Sequence, residues 1–158
     1  MIKEILNQFQ NGVYIEAEVD ETTKQNLLEY CDKYNIPTND DYHCTLIYSK
    51  KPYNGEIEKE DVSNIKCSVK EFVRFDNPDE DIYALTLKLD CPAMKEIHQN
   101  YMYNYDFIYD YDEYIPHISL SYKAKDIDYK NLPLPDFDIG FSKINVEGLD
   151  ENWADNKN

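Results

Sequence analysis

The stretch YIPHISLSY, residues 114–122, places a histidine two positions before a serine inside a segment of alternating polar and apolar residues. Alternation with a period of two is typical of a half-buried strand. Successive strand side chains point to opposite faces, so His117 and Ser119 share one face. Ile118 and Leu120 share the other face, where apolar side chains suit a core.

An earlier stretch, YHCTLIYS at residues 42–49, repeats the pattern with His43 and Thr45. In both strands we expect the apolar residues and the following tyrosine, Tyr48 or Tyr122, on the opposite, core-facing side. A buried histidine beside a buried hydroxyl would need hydrogen-bond partners. Both polar pairs are therefore predicted to face water or a ligand.

The order of predicted elements repeats along the chain. Each half runs strand, helix, histidine-bearing strand and strand, with approximate limits of residues 12–75 and 82–148. We therefore predict a single α+β domain, residues 1–158, of two pseudo-symmetric strand-helix-strand lobes around a central cleft. The alternative is chance similarity between two common patterns. Asp20 or Thr22 is the expected cap of the first helix, and Pro92 is expected to open the second.

Composition and charge exclude several classes of protein. Apolar residues make up 42% of the 158-residue chain, which is enough for a packed interior, and the net charge is −16. An acidic chain repels long DNA or RNA, so an anionic ligand should be small. No run reaches the roughly 18 to 20 apolar residues of a membrane span, and the first residues lack a signal-peptide core. These features predict a cytoplasmic protein with no membrane partner.

The four cysteines are widely spaced and form no C-x-x-C pair. This spacing favours reduced, buried thiols over a zinc site or a disulfide framework. The third histidine, His98, has no hydroxyl two positions later and is interpreted as structural or exposed. Arg74, the only arginine, is interpreted as a surface residue rather than a phosphate ligand.

Two facing imidazoles suit phosphoryl transfer. One neutral imidazole can accept a proton from the attacking oxygen, while one imidazolium can donate a proton to the leaving oxygen. The hydroxyls of Thr45 and Ser119 can hold the non-bridging phosphate oxygens. This layout requires no metal and no cofactor, and the sequence contains no dense carboxylate-histidine cluster that would predict one.

The paired H-x-T/S motifs, about 70 residues apart and each borne on a strand, resemble those of the 2H phosphoesterase superfamily. That resemblance implies a bilobal α+β fold with His43 and His117 as acid and base, and Thr45 and Ser119 as phosphate holders. Size, acidity and the late VEGLDENW segment (146–153) are most similar to the phage anti-CBASS phosphodiesterases. Those enzymes degrade the cyclic di- and trinucleotide signals of bacterial defence systems.

By the same resemblance, Tyr14, Glu147 and Trp153 match positions that contact nucleobases. Each has a plainer interpretation: Tyr14 as strand core, Glu147 as a solvated carboxylate, and Trp153 as a tail anchor. The tyrosine-rich segment 101–114 is either an aromatic flap, with Tyr109 on a base, or a loop covering the sheet edge.

Three other functions remain open at this stage. Another 2H activity would open terminal 2′,3′-cyclic phosphates or cleave 2′,5′-oligoadenylate. A nucleotide sponge would bind the signal without cleaving it, and would not need a paired acid and base. An acidic protein that mimics DNA would use the charge and leave the histidines idle. Base preference, ring size and oligomeric state cannot be read from the sequence.

Overall fold

The predicted α+β class is confirmed by a computed structural model that describes residues 8–39, 41–111 and 113–149. Two helices accompany one six-stranded antiparallel sheet. In chain order the elements are β1 (Val13–Val19), α1 (Glu21–Lys33), β2 (His43–Ser49), β3 (Lys66–Asn77), β4 (Ile82–Asp90), α2 (Pro92–Asn104), β5 (His117–Ser121) and β6 (Ile139–Gly148).

Local chemistry sets where the helices begin. The Asp20 side chain accepts a hydrogen bond from the backbone N–H of Thr23 at 2.8 Å, which satisfies one of the unpaired donors of α1. Pro92 is the first residue of α2, where its missing N–H costs nothing. Both starts agree with the sequence predictions.

The sheet order β2-β1-β6-β3-β4-β5 puts the two histidine strands at opposite ends. The two ends of the sheet nevertheless meet, with β2 in contact with β5. The segment before β2 stabilises this contact through Asn39. The Asn39 backbone N–H donates to the Leu120 carbonyl, and the Asn39 side-chain amide donates to the Ser119 carbonyl at 3.1 Å. The curled sheet thus brings together motifs that are far apart in sequence.

Each motif strand contains a β-bulge at the same place. In the β1–β2 pair, Thr45 lies opposite Glu16 and Ile47 opposite Ile15, so Leu46 is the extra residue. In the β4–β5 pair the register shift falls likewise at Leu120, between Ser119 and Ser121. A bulge changes which face the following residues occupy.

The bulges correct the predicted position of Tyr48 and Tyr122. Tyr48 lies opposite Tyr14, with the two ring centroids 6.4 Å apart, on the same face as Thr45. Tyr122 is 44% exposed and is not part of the core. The extra residue in each strand shifts the side-chain alternation by one, which the sequence pattern did not reveal.

The prediction of four reduced thiols is also wrong, because Cys67 and Cys91 form a disulfide. Cys67 lies on β3 and Cys91 directly follows β4. The β3–β4 register pairs Ser68 with Asp90, so the next pair brings the two cysteines face to face, with Cα atoms 4.9 Å apart. Cys31 and Cys44 are free and buried, as expected. The separation of 24 residues between Cys67 and Cys91 does not indicate this strand register.

Within the described ranges, neither helix has the length and apolar character needed to cross a bilayer.

Candidate active site

His43 occupies a half-buried position at the start of β2, next to two carboxylates. Its Nδ1 lies 3.8 Å from the Glu16 carboxylate and 3.6 Å from the Asp41 carboxylate. Nδ1 is itself buried and makes no hydrogen bond. Glu16 is only 6% exposed, and burial raises the pKa of its carboxyl group, while a protonated His43 would oppose that rise. His43 therefore has two carboxylates beside the same ring nitrogen.

Thr45 lies on the same face, where Tyr14 holds its hydroxyl. The Tyr14 phenol and Thr45 Oγ1 are 2.9 Å apart, and the Tyr14 ring meets the His43 ring edge-on with centroids 6.3 Å apart. Tyr14 is 4% exposed, and burial raises the pKa of its hydroxyl, so the phenol stays neutral. Glu147 lies opposite Tyr14 in the β1–β6 register and is exposed. Four of the predicted residues are therefore neighbours.

His117 and Ser119 form the second half of the site on β5. Both side chains are half-buried, and the residues between and after them are buried. His117 Nδ1 lies 3.0 Å from the carbonyl oxygen of Ile115. A carbonyl can only accept, so Nδ1 carries the hydrogen and a neutral ring keeps its lone pair on Nε2.

The two motif strands are in direct contact. Burial raises the pKa of the thiol of Cys44, which lies between His43 and Thr45, and the backbone of His117 partly offsets that rise. Each strand has its motif residues on a half-buried face, and the two strands contact each other, so we expect the imidazoles and hydroxyls to lie near one another. This arrangement could hold a phosphate group between two acid–base groups and two hydroxyl donors.

Side chains behind the motifs satisfy the carbonyl groups of both bulges. His98 Nδ1 lies 2.8 Å from the Leu46 carbonyl oxygen, and Thr38 Oγ1 donates to the Leu120 carbonyl at 3.0 Å. The extra residue of a bulge does not take part in the regular hydrogen bonds between the strands, so its buried backbone groups need other partners. His98, 6% exposed, is thus a structural residue.

We expect His98 to make folding stability depend on pH. Burial lowers the pKa of its imidazole in the folded protein, so the unfolded chain takes up a proton more readily. The contribution of neutral His98 to the free energy of unfolding is present above about pH 6.5, and it is lost as the pH falls towards the pKa of His98 in the folded protein. Urea melts at pH 7.5 and 5.5 should show a loss of roughly 1 kcal/mol more in wild type than in His98→Asn. Equal losses would contradict this.

The tyrosine-rich segment covers the helix side of β2. Tyr114 stacks on His98 with centroids 4.1 Å apart and donates to the Thr45 carbonyl at 2.7 Å. Tyr109 packs edge-on against His98 at 4.7 Å. The structure therefore does not bring Tyr109 to the surface that carries the motif histidines. Trp153 lies outside the described residues.

Arg74 does not reach the candidate site. Its guanidinium donates to Asp76 and to the backbone carbonyls of Ala124, Lys125 and Ile127. Those contacts hold the segment after β5, so Arg74 is structural.

Sequence reasoning missed the acidic partners of His43. Glu16, Asp41 and His43 offer ligand atoms that all lie within 4.8 Å of one another, a donor set that could hold a divalent cation. The signal for Glu16 was its place in the β1 alternation, two residues after Tyr14 and so on the same face. Asp41 precedes His43 by two residues. These spacings along the chain do not show that β1 pairs with β2 in the register that brings Glu16 beside His43.

Comparison with known families gives one match that spans most of the chain. The model of the family described as "Anti-CBASS protein Acb1" matches residues 11–156. The match includes both motifs, the acidic partners of His43, and Tyr14, Glu147 and Trp153.

Proposed function

The chain belongs to the Acb1 family of anti-CBASS proteins, and from this premise we propose that it is a 2H-type phosphodiesterase that cleaves cyclic oligonucleotide signals. The observation that carries the proposal is the junction of β2 and β5. There, two strands contact each other, and each bears a histidine and a hydroxyl residue on its half-buried face. Two imidazoles and two hydroxyls are sufficient for phosphoryl transfer by general acid–base catalysis.

The topology supports the bilobal 2H architecture. If β1 is exchanged with β4, β2 with β5, and β3 with β6, the sheet order reads the same from the opposite end. The two bulges fall at matching motif positions, one residue after Thr45 and one after Ser119. An internal duplication would produce both features, and it would relate His43 to His117 by a pseudo-twofold axis.

The proposed reaction uses the substrate's own 2′-hydroxyl. One histidine removes its proton, the oxygen attacks the adjacent phosphorus, and the other histidine protonates the departing 5′-oxygen. A linear product ending in a 2′,3′-cyclic phosphate results, and its hydrolysis would give a 3′-phosphate. Thr45 and Ser119 hold the non-bridging oxygens throughout.

Base recognition is proposed for the residues around Tyr14. Glu147 lies opposite Tyr14 on the motif face, and its exposed carboxylate can accept from a base amino group. Trp153 would stack on a base, an interaction that contributes about 1 to 3 kcal/mol. Tyr109 stays a prediction with no support from its position beside His98.

Cyclic di- and trinucleotides are the proposed substrates, and an infected bacterial cytoplasm is the proposed site of action. The −16 net charge fits a small anionic ligand held by local contacts better than a long polyanion. Opening of terminal 2′,3′-cyclic phosphates, or cleavage of 2′,5′-oligoadenylate, is the alternative reaction for the same residues. A nucleotide sponge would leave the paired histidines without a role.

We expect turnover to continue in EDTA, because two imidazoles can supply both acid and base. The test incubates the protein with a panel of 3′,5′-linked cyclic di- and trinucleotides, 2′,5′-oligoadenylate and terminal 2′,3′-cyclic phosphates. Chromatography of the denatured mixtures identifies the class that is consumed.

Two outcomes would contradict the proposal. Activity that EDTA abolishes and one divalent ion restores would indicate a metal mechanism at Glu16, Asp41 and His43. Consumption of only the terminal cyclic phosphates or the 2′,5′ oligomers would replace the proposed substrate with the alternative one.

A further inference from the structure

A row of side chains lies beside the motif hydroxyl in the first half of the sheet. Thr45 on β2 lies opposite Glu16 on β1. Two residues along β1, Tyr14 lies between Tyr48 on β2 and Glu147 on β6. Residues two apart on one face of a strand are separated by about 7 Å, so this row is next to the Thr45 hydroxyl. The ring of Tyr14 fills the row, because Tyr14 is only 4% exposed.

The second half has a row at the equivalent place. Ser119 on β5 lies opposite Thr86 on β4. Two residues along β4, Ala84 lies opposite Phe75 on β3. Tyr122, which follows the bulge of β5, lines the same cavity as Ala84 and Phe75. The second half therefore has an alanine where the first half has a buried tyrosine.

The small side chain of Ala84 leaves a cavity in this row. The cavity has a volume of about 250 Å³, and Phe75, Ile82, Ala84 and Tyr122 form its apolar walls. Phe75 is 56% exposed and Tyr122 is 44% exposed, so solvent reaches both aromatic side chains. An apolar cavity bordered by two accessible aromatic rings is suited to a flat aromatic ligand.

The polar side chains that line the cavity already have partners. Asp76 accepts a hydrogen bond from Arg74 at 2.8 Å, and the Asn77 amide donates to Glu80 at 3.2 Å. The cavity therefore offers a surface for stacking rather than a set of open hydrogen-bonding groups. Every nucleobase has a π face, so stacking binds a base with little dependence on its identity.

The cavity lies close to the junction of β2 and β5. Ala84 is two residues from Thr86, the partner of Ser119, so the cavity begins about 7 Å along the strand from that hydroxyl. Burial raises the pKa of Tyr14, and Tyr122 is one of the nearby groups that add to the rise. Tyr122 is thus close to the first half of the site as well as to the cavity.

The covalent structure of the proposed substrate requires two places for bases. A phosphodiester joins two nucleosides, one on each side of the phosphorus. A phosphate held between Thr45 and Ser119 therefore directs one base towards each half of the sheet. In the first half, Tyr14 and Glu147 are the proposed base contacts. In the second half, the cavity has the position and the aromatic walls that the other base needs.

We propose that the cavity between Phe75, Ala84 and Tyr122 is a second nucleobase subsite, which binds one base of the substrate by stacking and does not select its identity. This inference rests on the proposed phosphodiesterase function for its ligand. Base selectivity then comes from the first half, where the Glu147 carboxylate can accept from a base amino group. The preferred substrate has a base on both sides of the cleaved phosphate, which a terminal 2′,3′-cyclic mononucleotide lacks.

Two substitutions test the subsite in different ways. Phe75→Ala removes a stacking surface, and Ala84→Phe fills the cavity with a ring at the position equivalent to Tyr14. Each should raise the Kd of cyclic di-AMP and of cyclic di-GMP by about 5- to 100-fold in calorimetry. The measurements use a protein that also lacks both motif histidines, so that the ligand stays intact whichever nucleophile the enzyme employs.

Two further variants provide the controls. Tyr103→Ala removes an aromatic side chain that is 90% exposed on α2, outside the cavity, and should leave both Kd values unchanged. Glu147→Gln should change the ratio of the two Kd values, whereas Phe75→Ala should raise both by a similar factor. Where the two cavity variants disagree, Phe75→Ala decides, because its exposed side chain can be removed without changing the interior.

The outcomes separate the subsite from the proposed function. Unchanged affinity in Phe75→Ala, or an equal loss in Tyr103→Ala, would overturn the subsite and leave the phosphodiesterase function standing. A loss for only one of the two ligands would overturn the claim that the subsite does not select its base. Binding without cleavage by the protein with both histidines would overturn the proposed function alone, and absence of both binding and cleavage would overturn the two together.

Discussion

His43→Ala and His117→Ala are each expected to reduce turnover of a cyclic dinucleotide by about 10² to 10⁴-fold without unfolding the protein. Each variant removes one of the two proton transfers of the proposed reaction. Both side chains are half-buried and lie outside the hydrophobic core, so the melting temperature should change little. Initial rates and thermal melts of the purified variants measure the two effects separately.

The neighbouring hydroxyls provide a graded comparison. Thr45→Ala and Ser119→Ala each remove a phosphate hydrogen bond rather than a proton relay, so they should cost less than the histidine variants. Near-normal turnover in either histidine variant would contradict the assignment of that histidine.

Removal of the 2′-hydroxyl from the substrate is expected to have the second large effect. A vicinal 2′-hydroxyl is held beside the phosphorus at a high effective concentration, which water cannot match. The 2′-deoxy cyclic dinucleotide should therefore bind but resist cleavage, because stacking and phosphate contacts do not use that hydroxyl. Calorimetric binding and product analysis on matched ribo and deoxy compounds distinguish binding from chemistry.

Rapid cleavage of the deoxy compound would show direct attack by water. The histidines could still act as acid and base in that case. The 2′,3′-cyclic phosphate product would have to be abandoned.

Much of the fold could be predicted because local signals determined it. Strand alternation placed the motif residues on one face, and Asp20 and Pro92 marked where the helices begin. The features that sequence reasoning missed all depend on register between strands. The bulges at Leu46 and Leu120, which turn the following tyrosines towards the motif face, leave no mark in an alternating pattern.

The same limit applies to the site. The histidines were predicted from a repeated motif, which requires no knowledge of strand pairing. Glu16 and the Cys67–Cys91 disulfide depend on which residue lies opposite which, and that follows from how the sheet curls. Tyr109 was placed near the cleft from composition alone, although its ring packs on His98 behind β2.

The central claim is that the protein is a phosphodiesterase whose nucleophile is the substrate's own 2′-hydroxyl. The most direct test is a reaction in oxygen-18 water that contains EDTA. The reaction is stopped early, and its products are analysed by chromatography with mass spectrometry. We predict that the first product from a 3′,5′-linked cyclic dinucleotide has the same mass as the substrate, elutes as a linear species, and contains no solvent oxygen. A double variant lacking His43 and His117 should return the ligand intact. Quantitative recovery of intact ligand from the wild-type protein would contradict the account, because it would show a protein that binds the signal without cleaving it.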